Sequence, residues 1–248
     1  MLFNEFGSKE KPTLLLMHGM MQDWHTQYEL LKPLEEGFRL IVPAMDGMYP
    51  NSPDFTSFAD QCRQIEEFIT ANYGGKLRGV YGISQGATVL SELLARGNVE
   101  IEIAILDGVY VARQGKLAAD FGCAVFRKVK QNGGKFPRAM DIVMKLMGLS
   151  KEDYEMFRSM YWDVSDESMR RNLLENYTYR ANPGLKNTNT LVFLWCGSKE
   201  PYALKSHRIL KQYLKNHKEE VFPDMGHGQM LLRHRDTLCK RICTVLLP

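Results

Sequence analysis

No apolar run in this 248-residue chain approaches the ~20 residues that a membrane helix needs. The opening segment, MLFNEFGSKEKP, has neither a basic n-region nor an apolar h-region, so no secretory leader is read there. Cysteine is scarce and unpatterned: Cys62, Cys123, Cys196, Cys239 and Cys243 make an odd set of five without a CxxC pair. That argues against a disulfide scaffold or a zinc ribbon. It suits free thiols in a reducing compartment, and the expected localisation is cytoplasmic. Cys239 and Cys243, four apart on an expected helix, have no His or Cys companions and read as core packing. A net charge of +3 without a long basic run argues against nucleic acid as partner. There is no GxGxxG at a strand–helix turn, no P-loop, no HExxH and no Cys–His zinc spacing, so neither a cofactor nor a metal is expected. Internal repeats and low-complexity linkers are also missing.

What remains is an ordinary globular composition, 44% apolar and 25% charged, at a length that suits one large domain with room for an insertion. Short apolar runs closed by Gly, Pro or Asp predict strands over 12–17, 38–42, 77–82, 101–106, 190–195 and 218–222. Helical patterns separate them over 24–36, 55–73, 85–96, 201–216 and 228–246. This alternation predicts an α/β fold, doubly wound around a mostly parallel sheet of about six or seven strands. One connection, from near 106 to near 190, is too long for a single crossover. It reads as helices over 115–131, 138–147, 151–161 and 166–180, with a capping box in SKED (150–153) and Ser165 as an N-cap. Residues 110–185 are therefore expected to form an inserted helical cap on a core of 1–109 and 186–248. The alternative is extra helices at the sheet edge with no lid role. The basic LKQYLKNHK stretch (210–218) reads as an exposed helix face.

The stretch VYGISQG (80–86) places Ser84 midway between Gly82 and Gly86. A G-x-S-x-G pattern alone is modest evidence. Here a predicted strand precedes it and a predicted helix follows, which is the strand–turn–helix context in which a serine is presented at a strained apex. Gly82 and Gly86 lack a Cβ and let strand and helix approach around the turn. Ser84 then sits at a helix N-terminus, where dipole and free N–H groups favour developing negative charge.

At this point the chain resembles the α/β-hydrolase family over nearly its whole length. LLLMHGM (14–20) resembles the family's strand, His-Gly and oxyanion loop. VPAMDGMYPNS (42–52) resembles its Asp-x-x-Gly-type loop. GISQG is similar to the nucleophile elbow, and GHG (226–228) to the catalytic-histidine loop. The resemblance implies a Ser-His-acid triad with Ser84 as nucleophile and His227 as base. Glu200, after TLVFLWCG, falls at the acid position, where the family more often has Asp; Asp107 at the end of the 101–106 strand is the alternative acid. His18 reads as structural, His25, His207 and His217 as solvated, His234 as a weak reserve base, and Asp224 as a loop residue bonding backbone N–H groups. The resemblance also implies an oxyanion hole from the backbone N–H groups of Met20 and Gln85. The loop reads HGMM rather than HGGG, which suits bulky tertiary-alcohol esters less naturally.

The chain has 14 Met. Met20, Met21, Met45, Met48 and Met225 fall in loops after expected strand ends, where an α/β sheet places its ligand. Of these, Met21, Met45, Met48 and Met225 are taken as substrate-binding candidates. Met140, Met144, Met147, Met156, Met160 and Met169 lie in the expected cap. Methionine adapts to apolar ligands, although plain helix core explains each cap methionine equally well. The expected function is hydrolysis of a carboxylic ester or related acyl compound with an apolar moiety, with that small molecule as partner and the oligomeric state open. Cleavage of a carbon–carbon bond by the same residues, or non-catalytic binding of a small molecule, are the alternatives.

Overall fold

The computed structural model describes residues 1–131 and 163–247. The helices expected over 138–147 and 151–161, with the SKED capping box and all the expected cap methionines except Met169, lie outside the described residues.

Within them, seven strands form one sheet: β1 (Leu2–Phe6), β2 (Thr13–Met17), β3 (Arg39–Ala44), β4 (Lys76–Ile83), β5 (Glu100–Asp107), β6 (Leu191–Gly197) and β7 (His217–Phe222), in the order β1-β3-β2-β4-β5-β6-β7. All neighbours run parallel except β1, which pairs antiparallel with β3 from Leu2↔Ala44 to Phe6↔Leu40. The interior strands are apolar on both faces because helices cover both faces. β1 has no counterpart among the strands expected from the sequence. It is a half-exposed edge, so neither a continuous apolar run nor a clean alternation marks it.

Helices α1 (Trp24–Leu31), α2 (Phe58–Tyr73), α3 (Gln85–Arg96), α4 (Lys116–Gln131), α5 (Asp166–Thr178), α6 (Pro201–Leu210), α7 (Gln229–Arg233) and α8 (Arg235–Leu246) complete the described fold. Local chemistry sets their ends. Asp23, Ser57 and Ser165 cap α1, α2 and α5 by accepting a backbone N–H. Asp166 and Glu167 add negative charge to the first turn of α5. Gly74 and Gly97 close α2 and α3 in the left-handed conformation.

Three expected helices come out shorter. The one read over 24–36 becomes 3-10 from Lys32, where Pro33 removes a donor. The one read over 201–216 stops at Leu210, and the chain turns into β7 at His217. The basic LKQYLKNHK stretch is thus a turn leading into a strand rather than a helix face. The one read over 228–246 breaks at His234, whose backbone is non-helical.

Two apolar clusters sandwich the sheet. One packs α2, α3, α4 and α5 against β2, β4 and β5 through residues such as Cys62, Ile65, Val80, Leu90 and Leu173. The other packs α1 and α8 on the opposite face through Leu16, Leu31, Tyr81, Trp195 and Ile242. The sheet's far edge, β7, is of a different kind: its Glu219 pairs with Lys211 and its Glu220 with Arg241.

Candidate active site

Ser84 follows β4 with φ 56° and ψ −122°, a positive-φ conformation that a serine adopts only under constraint. The constraint is steric and hydrogen-bonded. A Cβ on Gly86 would lie 2.3 Å from the Met17 carbonyl oxygen, and one on Gly82 would lie 2.7 Å from the Gly86 carbonyl carbon. Only glycines allow the strand, the turn and the loop after β2 to close this tightly. The Ser84 N–H donates to the Asp107 carbonyl at 2.8 Å, which ties the turn to the end of β5. Among the described residues the Ser84 hydroxyl has no hydrogen-bond partner.

His227 and Glu200 meet from two other loops. Glu200 stands just before α6 and Pro201, and its Oε1 turns back to accept the Gly197 N–H at 2.6 Å rather than capping the helix. Its Oε2 lies 2.5 Å from His227 Nδ1, and both side chains are buried. An ionised carboxylate only accepts, so Nδ1 carries the proton and Nε2 is left with its lone pair. Burial alone would lower the His227 pKa. The charge and hydrogen bond of Glu200, and the charge of Asp107, outweigh it and hold the pKa above 6.5. Tyr110 lies against the imidazole with ring centroids 5.2 Å apart, edge to face.

Gly108 brings this pair next to Ser84. Ile83 and Asp107 are register partners, so Ser84 and Gly108 leave adjacent strands side by side. Gly108 has φ 59°, and a Cβ there would lie 2.8 Å from His227 Cε1 and 3.1 Å from Glu200 Oε2. The imidazole therefore rests on bare backbone one strand away from the serine. Sequence reasoning misses Gly108. Its only signal is an Asp-Gly pair at a strand end, which any turn could carry.

Asp107 faces a different partner. The Tyr81 hydroxyl donates to its Oδ2 at 2.9 Å. Burial and the charge of Glu200 push its pKa up to about 7, against the lowering effects of Tyr81 and His227. It lies under the His227–Glu200 pair without a hydrogen bond to the imidazole.

The loop after β2 comes close as well: a Cβ on Gly19 would lie 3.7 Å from Ser84 Cβ. The Met20 N–H has no partner among the described residues. The Gln85 N–H opens α3 and has no intrahelical acceptor. His18 is fully buried; Nδ1 donates to the Gly19 carbonyl at 2.9 Å and Nε2 accepts the Met45 N–H at 3.2 Å. The carbonyl fixes the tautomer. Burial, partly offset by the Gly19 bond, pushes the His18 pKa down to about 4, so it joins the loops after β2 and β3 as a neutral group. The Gln85 side chain accepts from Asn176 of α5 at 2.9 Å, which links the candidate turn to that helix.

The other expected residues divide between core and surface. Met21, Met45 and Met48 are fully buried in one cluster, while the half-buried Met225 packs on the opposite one. His207 is not solvated: it is completely buried with Nδ1 3.0 Å from Glu219, because α6 turns that face onto β6 and β7. His25 is exposed, His217 begins β7 with Nδ1 3.1 Å from the Leu214 carbonyl, and His234 is exposed between α7 and α8. Asp224 points to solvent 3.7 Å from Lys199 and accepts no backbone N–H; only its own N–H is bound, by Ser198.

Strand order, the turn after β4 and loops gathered at the C-terminal strand ends define the α/β-hydrolase fold, and solved structures bear this out. An α/β-hydrolase family protein of Desulfitobacterium hafniense matches with a TM-score of 0.85 at 21% identity, over 99% of this chain and 100% of that one. MenH of S. aureus matches at TM-score 0.78 and 17% identity, covering 98% and 97%. An esterase of Exiguobacterium antarcticum matches at 0.78 and 17%, covering 99% and 95%. No family model and no curated protein matches the sequence.

Proposed function

We propose that this chain is a serine hydrolase acting on a carboxylic ester or related acyl compound. The observation that carries the reading is the buried His227–Glu200 pair held at 2.5 Å on Gly108, one strand from a strained Ser84 whose hydroxyl has no partner among the described residues. In this mechanism Nε2 of His227 takes the Ser84 proton as the oxygen attacks the acyl carbon. The N–H groups of Met20 and Gln85 hold the oxyanion. His227 then gives its proton to the leaving oxygen, and water hydrolyses the acyl-enzyme with the same imidazole as base. Glu200 keeps the imidazole in the required tautomer, and Asp107 acts beneath it as a second buried carboxyl, bonded to Tyr81. Met20 lines the acyl side and the buried Met21, Met45 and Met48 back it from the core, with Met225 across the sheet from them. Residues 110–185 form the cap, tied to the core of 1–109 and 186–248 through the Asn176–Gln85 bond. All five cysteines are free thiols, which fits a cytoplasmic protein.

The test is hydrolysis of p-nitrophenyl acyl esters with labelling by a fluorophosphonate. Ser84→Ala is expected to lose both, with kcat/KM down by about 10³-fold or more. Full turnover in that variant overturns the reading. In the same assay Glu200→Gln is expected to cost more than Asp107→Asn; the reverse order makes Asp107 the acid.

A further inference from the structure

Away from Ser84, a cleft of about 880 Å³ opens between α3, the segments around Val111 and Arg180, and α6 with the turn after it. That volume lies in the range of small-molecule sites. Its lining has two characters. Val111, Ile209 and Tyr213 supply an apolar wall, and Arg113, Arg180 and Lys205 supply three cations. None of the three has a carboxylate partner among the described residues. The single acid of the lining, Glu92, is already engaged: it accepts from the Tyr179 hydroxyl at 2.7 Å and from Asn182 Nδ2 at 3.1 Å. A further cation, Lys186, stands 5.4 Å from the Tyr213 ring centroid. The neutral donors on Glu92 leave its charge in place, so the lining holds two more cations than anions beside an apolar surface.

We propose that this cleft binds a small organic anion, a carboxylate or phosphate head carried on an apolar body. The guanidinium groups of Arg113 and Arg180 can take two oxygens of such a head in their planar forks, and Lys205 adds a point charge. The body lies against Val111, Ile209 and Tyr213. The walls are held independently of any ligand, since Ser206 on α6 accepts the N–H groups of Val111 and Ala112 at 3.0 and 3.3 Å. Binding there needs no chemistry at Ser84.

The test is calorimetric titration of the full chain at low salt with octanoate, octyl phosphate, inorganic phosphate and octanol. Octanoate or octyl phosphate is expected to bind, with octanol and inorganic phosphate each weaker by about tenfold or more. Added salt is expected to weaken binding, because the charges are exposed. The variant Arg113→Ala/Arg180→Ala/Lys205→Ala is expected to bind about tenfold more weakly with its melting temperature unchanged, and Ser84→Ala to bind as the parent does. Octanol binding as well as octanoate, or the triple variant binding undiminished, overturns the proposal. So does the absence of binding by either amphiphile. Inorganic phosphate binding as tightly as octyl phosphate removes the role of the apolar wall and overturns it for amphiphiles.

Discussion

Gly108 decides more of the candidate site than its missing side chain suggests. At φ 59° any L-residue costs about 1 kcal/mol of backbone strain, but strain is the smaller effect here. A methyl group would sit 2.8–2.9 Å from two imidazole atoms of His227 and must push the ring off Glu200. Gly97 is a natural control, with φ 68° and nothing within 4 Å of the place a Cβ would take. Gly108→Ala is expected to lower kcat/KM about 10²-fold, and Gly97→Ala to leave it unchanged while costing similar backbone strain. Equal activities of the two variants in an ester assay would show that the imidazole has room to spare. Ser84, Glu200 and His227 are legible in the sequence because each sits in a short pattern: a glycine-flanked serine, an acid three residues past a strand end, a histidine between glycines. Gly108 is not, because its role exists only once three loops have met over it. His207 misleads for a related reason. A histidine on a helix declares its burial only when the facing strand, here β7 with Glu219, is known.

At the scale of elements, the loop after β2 is fastened to the loop after β3 by one uncharged imidazole. His18 protonates near 6.5 in the unfolded chain and near 4 in the fold, where burial opposes the charge. Its contribution to stability is therefore complete above pH 6.5 and is lost as pH falls through about 4. That amounts to about 3 kcal/mol across the window. Urea unfolding of the parent and of His18→Asn at pH 7 and at pH 4 measures it. The stability gap between them is expected to shrink by about 3 kcal/mol at the lower pH. A gap that stays constant means that His18 is charged or differently bonded in the fold. Strand positions and the helix after Ser84 are readable from apolar runs and caps. Helix ends near Pro33 and Leu210 are less so. There the amphipathic pattern continues past the point where a missing donor, or pairing into the sheet, wins.

Among the described residues, the seven-stranded sheet lies between two separate apolar cores. Ile65 on α2 belongs to one and Ile242 on α8 to the other, and both are fully buried. Each Ile→Val change is expected to cost about 1 kcal/mol, and the double variant their sum to within about 0.5 kcal/mol. Non-additivity in thermal or denaturant unfolding would mean that strain crosses the sheet. The fold class is legible at this scale because strand–helix alternation fixes a two-sided sheet; the antiparallel edge β1 is not, because half-exposed strands carry a weak pattern. The opposite edge, β7, has a consequence for the protein in a crowd of its own copies. An open edge is a row of unpaired amides and carbonyls ready to take another strand. On β7 the consecutive Glu219 and Glu220 point to opposite faces of the sheet, where Glu219 pairs with Lys211 and Glu220 with Arg241. A strand added at this edge would have to lie beside a charged pair on each face. Charge on both faces of an open edge is a device that discourages strand addition, so the fold carries its own brake on sheet growth at the end where the parallel sheet stops.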